Sequence, residues 1–272
     1  MTAAATNLVE HPWTFFGVLF VLLVCVVEFG YRLGSAAGAN AHEDVRESLV
    51  STRDAVGLLL SLLLGFTLAM ALPRYEERNK LLVDEANAIG TTALRAQMLP
   101  EPARGKTLQL LSEYADARLS FSTANLDGPE FQQSLARTKQ LQNQLWQQSV
   151  GVAQQNPTPI TAIFVQSLND SIDLTEKRIA TLENRVPNVV WLLLVLMSIL
   201  SCLTIGVSER RRFWFVMVIS PLTIAIVMAL IADLDAPRTG LIKVSQQSLR
   251  RVQQDLQSGG APGRENPPRI SQ

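Results

Sequence analysis

Four stretches of this chain lack the alternation of polar and apolar positions that a soluble helix carries. Trp13 to Gly30, Ala55 to Leu72, Val189 to Val207 and Phe213 to Ala232 are apolar almost throughout. Each holds about 18–20 residues, which at about 1.5 Å of rise per residue crosses a hydrocarbon core roughly 30 Å thick. A helix with no polar face has nothing to offer water, so the four are read as membrane spans. An Ala39-Asn40-Ala41 sequence after the first run has the form of a signal-peptidase site. The residues before Trp13 include Glu10 and no Lys or Arg, and the run exceeds a normal signal core, so a retained helix is expected.

Between the second and third spans the pattern turns amphipathic. Past Pro73, at about 100° per residue, Glu77, Lys80, Asp84, Asn87, Thr91 and Arg95 fall on one stripe. Tyr75, Leu82, Ala86, Ile89 and Ala93 fall opposite. The second span is therefore expected to continue into a soluble helix whose apolar face packs in a bundle. A further helix is predicted from about Lys106 to Ala124, and a Gln-rich one from Pro129 to Gln155 carrying Phe131, Leu135, Leu141, Leu145 and Trp146. Asn156-Pro157-Thr158-Pro159 then breaks the chain, with Thr158 placed to cap a helix and Pro159 at its first position. That helix carries Ile160, Phe164, Leu168, Ile172, Ile179, Leu182 and Val186 at helical spacing, predicting one buried stripe. No strand-like alternation of useful length occurs.

The pattern predicts an all-α integral membrane fold, four transmembrane helices with a helical bundle inserted between the second and third. The expected organisation is a first span and connecting loop over 1–54, then a second span continuing into a soluble helix over 55–105. The bundle occupies 106–188, the last two spans and an amphipathic segment 189–256, and a Gly/Pro/Ser-rich disordered tail 257–272.

Composition narrows the functional classes. Twenty-four Lys and Arg balance 24 Asp and Glu, so no global positive field recruits nucleic acid. Cys25 and Cys202 both lie in spans, where thiols act as small apolar groups rather than as a disulfide or metal framework. His11 and His42 are the only histidines and both flank the first span. No Ser–His–Asp arrangement or glycine-rich phosphate loop is present, so no enzyme, metal or cofactor is expected. Four spans place both termini and the bundle on one side. Arg210, Arg211 and Arg212 pull the short opposite loop toward the cytoplasm. The larger set of Arg74, Arg78, Lys80, Lys177, Arg178, Arg185, Arg238, Lys243, Arg250 and Arg251 pulls the termini and bundle there instead. Cytoplasmic termini in an inner membrane are the expectation.

Three groups of side chains stand out as candidates. Gly57, Ser61, Gly65 and Ala69 recur every fourth residue of the second span, a ridge suited to close helix packing or to the axis of an oligomer. The stripe from Glu77 to Arg95 is either a plain solvated face or the wall of a wet vestibule or subunit interface. Asp233 and Asp235 stand at the boundary of the last span, too few carboxylates for a calcium site, with Arg238 as an ion-pair candidate. Glu28 has Arg32 four residues on, in the favourable order for a local pair. Ser220-Pro221 marks a kink in the fourth span.

The blocks GLLLSLLLGFTLAMALPRYEERNKLLVDEANAIGTTALRAQMLP and LIADLDAPRTGLIKVSQQSL resemble a family of mostly bacterial membrane proteins with a bestrophin-like domain. The resemblance covers roughly Ala55 to Leu249 and is remotely similar to the bestrophins, oligomeric channels with four spans, cytosolic termini and helical cytosolic domains. It implies a homo-oligomer in the lipid bilayer and a permeant ion, with the second helix along the axis. Bestrophins line that helix with apolar and aromatic groups where this chain has Gly57, Ser61, Gly65 and Ala69. The alternative is a non-conducting scaffold or regulatory protein whose bundle docks a partner.

Overall fold

A computed structural model describes residues 12–37, 43–124, 128–209, 212–236 and 244–258. The Ala39-Asn40-Ala41 sequence, Arg210 and Arg211, the expected pairing of Arg238 and the tail from Gly259 lie outside the described residues. Among the described residues there are eight helices: α1 (Pro12–Ala37), α2 (Glu43–Ala96), α3 (Ala103–Thr123), α4 (Pro129–Gln155), α5 (Pro159–Glu183), α6 (Asn188–Ser208), α7 (Trp214–Asp235) and α8 (Gln247–Gln257). Four of them, α1, α2, α6 and α7, are long and apolar enough to cross a membrane. The chain is a multi-pass membrane protein with an all-helical fold.

One difference from the expected elements concerns α2: the connecting loop expected to reach residue 54 is helical from Glu43 onward. Past Pro73 the helix continues, as the pattern predicts. Proline removes one N–H and crowds the carbonyl four residues back, here that of Ala69, but the apolar run before it and the amphipathic run after it are each satisfied by staying helical. Pro221 is likewise accommodated inside α7.

The chain divides into two compact units, one of residues 1–76 and 184–243, the other of 77–183 and 244–272. In the first, α1 and α6 run parallel, as first and third spans of an alternating chain must. The Phe15 ring meets Trp191 edge-on at 5.7 Å near their starts, and Gly30 and Gly34 meet Leu203 to Val207 near their ends. Leu19, Leu23, Val27, Leu194, Met228 and Ile231 form its core. Leu58, Leu62, Leu192, Leu196 and Ile226 point outward, which suits helices whose solvent is lipid.

The second unit is an up-down bundle. The later part of α2 runs antiparallel to α5, with Thr92 donating to the Ser167 carbonyl and Arg95 to the Ile163 carbonyl, both at 2.9 Å. The α3 and α4 helices are antiparallel as well, with Phe121 stacked obliquely on Phe131 at 5.1 Å. The Thr158 hydroxyl caps α5 by accepting the Thr161 N–H at 3.2 Å, as the sequence predicts. The short α8 lays Leu249 and Val252 into the same core and bonds Asp116 through Gln253 at 2.5 Å.

The predicted stripe on α5 is only partly the buried one. Phe164 and Leu168 are fully enclosed, but Ile160 is exposed and Ile172 is only half-buried. The centre of the inward face is instead Thr161, Ser171, Thr175 and Arg178. Trp146 of α4 is also exposed, while Ser134, Thr138, Gln142 and Ser149 face inward. The faces that turn inward carry polar as well as apolar groups.

Candidate functional site

The ridge on α2 is not used for tight packing inside the chain. A Cβ added at Gly57 or Gly65 would meet nothing within 4 Å, and Ser61 and Ala69 are exposed. Gly57, Ser61 and Gly65 instead line a groove of about 460 Å³, facing Ser201 of α6 and Ser220 and Thr223 of α7. The Ser61 and Thr223 hydroxyls donate to the carbonyls of Gly57 and Ile219 on their own helices, both at 2.9 Å. Such back-bonding lets a hydroxyl sit in a membrane without a partner helix.

The close packing that small residues permit occurs elsewhere. Any Cβ at Gly206 would run into the Val27 carbonyl and the Tyr31 N–H, and one at Gly34 would strike Val207. Gly30 and Gly34 form a G-x-x-x-G pair that seats α1 against α6. That signal stands in the sequence, hidden by its position beyond the most apolar part of the run. At the same end Glu28 accepts from Arg32 at 2.9 Å and also pairs with Arg212, which lies 5.5 Å above the Tyr31 ring.

The predicted stripe keeps its polar character. Glu77, Lys80, Asn87 and Thr91 are exposed and Asp84 and Arg95 half-buried, whereas Leu82, Ala86, Ile89 and Ala93 opposite them are enclosed. Arg95 reaches the Ile163 carbonyl of α5. Asp233 and Asp235 are both buried. Asp235 accepts the Val186 N–H at 2.9 Å and lies 3.8 Å from Arg74, so the end of α7 is tied to the approach to α6 and to α2. Among the described residues no group of three or more His, Cys, Asp or Glu gathers to hold a metal.

What residue-by-residue reading missed is a buried charge network in the bundle. Glu85 of α2, fully enclosed, takes Arg118 Nε of α3 at 2.5 Å on one oxygen and pairs with Arg178 of α5 through the other. The Thr175 hydroxyl lies 2.9 Å from the first oxygen, Tyr114 stands 2.6 Å from Thr175, and Gln142 of α4 donates to Tyr114 from 3.3 Å. With each hydroxyl donating onward, a chain of donors runs from Gln142 to the carboxylate, and all four bundle helices contribute to it. Arg178 also donates to Ser122 at 2.7 Å. Burial works against the Glu85 charge, but the two guanidiniums outweigh it and hold the carboxyl below its ordinary 4.5. Burial pushes the Tyr114 phenol above its ordinary 10.0. The signal for this network is phase: Glu85 lies on the Leu82–Ala86–Ile89 face, and Arg118 on that of Leu111, Ala115 and Phe121.

A family model described as the Bestrophin-like domain matches residues 15–249. The chain belongs to the Bestrophin-like domain family. Solved structures of similar fold include a bacterial bestrophin homologue from Klebsiella pneumoniae, at 15% identity, with 91% of this chain and 99% of that one covered and a TM-score of 0.69. A mutant form of that homologue matches at 15% identity, 90% and 97% coverage and a TM-score of 0.66. At such identity the likeness establishes the fold of this bestrophin-like chain. No curated protein matches it.

Proposed function

We propose that this bestrophin-like chain assembles into a homo-oligomeric ion channel of the inner membrane, its second helix lining the common axis. One observation carries the reading. On α2 the ridge of Ser61, Gly65 and Ala69 and the stripe of Glu77, Lys80, Asn87 and Thr91 stay open, while the opposite face of the stripe is closed by the chain's own helices. In the proposed assembly Gly57, Ser61, Gly65 and Ala69 border the path through the bilayer. Glu77, Lys80, Asp84, Asn87, Thr91 and Arg95 present charge to a wet vestibule, and water reaches that stripe because it is polar. The termini and the bundle face the cytoplasm, supported by the larger basic set on their side.

The test is single-channel recording of the purified full-length chain in planar bilayers. Wild-type protein conducts, Gly65→Trp closes the path, and Glu77→Gln or Asp84→Asn shifts the reversal potential in a salt gradient. A well-folded oligomer that stays silent moves the function to a non-conducting scaffold whose bundle docks a partner. Labelling a tag placed at Gly259 from one side of the membrane checks the orientation.

A further inference from the structure

Charge is not balanced at the end of the spanning unit where α1 finishes and α7 begins. The carboxylate of Glu28 is shared there. Arg32, one turn on in α1, reaches Oε1 through Nε at 2.9 Å, and Arg212, just ahead of α7, pairs with the same oxygen. The Tyr31 ring beneath Arg212 adds attraction but no charge. One carboxylate thus draws two guanidiniums together and neutralises only one of them. The connection between α6 and α7 does not restore the balance, since its sequence sets Glu209 against Arg210 and Arg211. The frame is firm, because the backbones of α1 and α6 meet at Gly30 and Gly206.

Both guanidiniums are exposed, and a guanidinium carries five N–H donors, so most of each fork is left for another acceptor. Two forks that meet at one oxygen stand close enough for a single phosphate to bridge them. The surroundings say which phosphate. On α1, Phe29 and Leu33 form an exposed ridge beside that of Glu28 and Arg32, and Arg212 runs directly into the exposed Phe213, Trp214 and Phe215. Large apolar side chains left open on spanning helices face lipid, and aromatic ones gather at headgroup depth. A soluble phosphate would use the arginines and leave these apolar groups idle. A phospholipid uses both, with its phosphodiester on the arginines and its chains along the apolar ridge. A zwitterionic headgroup brings its own cation, so only an anionic one compensates the surplus.

We propose that Arg32 and Arg212, held together by Glu28, bind the phosphodiester of an anionic phospholipid at this edge of the membrane. None of these groups belongs to the ridge or the stripe of α2, so the site stands or falls apart from conduction.

Native mass spectrometry of the full-length protein in detergent tests this, with dioleoylphosphatidylglycerol and dioleoylphosphatidylcholine titrated separately. The wild type retains phosphatidylglycerol at lower concentration than phosphatidylcholine. Arg32→Gln and Arg212→Gln each weaken phosphatidylglycerol retention about fivefold, the scale of one basic residue at an anionic bilayer surface, and leave phosphatidylcholine unchanged. Arg53→Gln removes the same charge from an arginine that Asp54 already neutralises, and phosphatidylglycerol retention holds. No preference in the wild type, unchanged retention in the first two variants, or an equal loss in Arg53→Gln overturns the proposal. So does displacement of the lipid by inorganic phosphate at equal concentration, which identifies a site for the free anion. Should an arginine variant fail to fold, the wild type decides the matter with a phosphatidylglycerol analogue carrying a diazirine near its headgroup. Labelled peptides that contain Arg32 or Phe213 support the site, and labelling confined to other peptides overturns it.

Discussion

Among the spanning helices, the hydroxyls of Thr67 and Ser208 donate to the Leu63 and Ile205 carbonyls of their own helices. In the bundle, Thr92 and Thr175 reach to other helices, and the groups they meet include a carboxylate. The contrast follows from the two solvents. Lipid offers no gain for burying apolar surface, so α1 and α6 associate by backbone approach at Gly30, Gly34 and Gly206. Water rewards apolar burial in the bundle, and that closed interior can then hold a charged network that fixes which faces meet. Unpacking one unit therefore calls for a larger side chain, and unpacking the other for a missing charge.

The largest effect is expected at Glu85. Glu85→Ala strands two guanidiniums in the core and should cost about 3–5 kcal/mol, read from chemical denaturation of the bundle by far-UV dichroism. Replacing Glu85, Arg118 and Arg178 together by Leu, Met and Met should recover most of that loss, because no charge is then left unpaired. A triple variant as unstable as the single one would mean that packing, not charge, holds the faces together.

The same carboxylate sets an acid limit on the bundle. Its folded pKa lies below the ordinary 4.5, so its contribution is complete above that value and is lost as pH falls through the folded pKa. The stability gap between wild type and Glu85→Gln should thus be full at neutral pH and close only under strongly acidic conditions. A gap that closes above pH 4.5 would contradict the pairing.

A smaller effect is expected in the membrane. Gly206→Ala places a methyl group against backbone atoms of Val27, Gly30 and Tyr31, which cannot swing aside as a side chain would. It should cost roughly 1–3 kcal/mol of thermal stability in detergent, the usual range for overpacking. Gly65→Ala meets nothing within 4 Å and should leave the monomer's stability unchanged. The pair of variants separates glycines used inside the chain from those left open for another role.

Much of this architecture was legible in the sequence because lipid and water impose patterns that survive averaging. Four uniform apolar runs, two stripes at helical spacing and the breaks at Pro and Gly were enough to predict most of the helices. The candidate residues were legible only by type. Periodicity marks the ridge at Gly57 to Ala69, whereas Gly30 and Gly34, which do the packing, stand at and beyond the end of the first apolar run. On α5 the apolar residues Ile160, Ile172 and Ile179 suggested a face that the structure turns aside, because Thr175 and Arg178 must reach Glu85. A pattern of apolar positions cannot show a partner on another helix. An ionisable residue in phase with an apolar stripe does signal one, and Glu85, Arg118 and Arg178 all carry that signal.

The smallest effect is the one that resolves the network most finely. Tyr114→Phe keeps the ring and removes the oxygen between Thr175 and Gln142. Glu85 keeps both arginines and Thr175, so the loss should be about 1 kcal/mol: the oxygen's two hydrogen bonds go, but only the Gln142 amide is left without its partner. The pH dependence distinguishes this from a packing defect. The Tyr114 pKa is raised above 10.0 by burial, so the phenol's contribution is complete below that value and is lost as pH rises through the folded pKa. Lysines titrate in the same range, but they are common to both proteins, so the difference between wild type and variant isolates Tyr114. That difference should hold steady to about pH 10 and then shrink as the wild type is forced to ionise a phenol beside Glu85. A difference that stays constant through alkaline pH would mean that the folded pKa is not raised, so that the hydroxyl is not enclosed in the bundle as the structure has it.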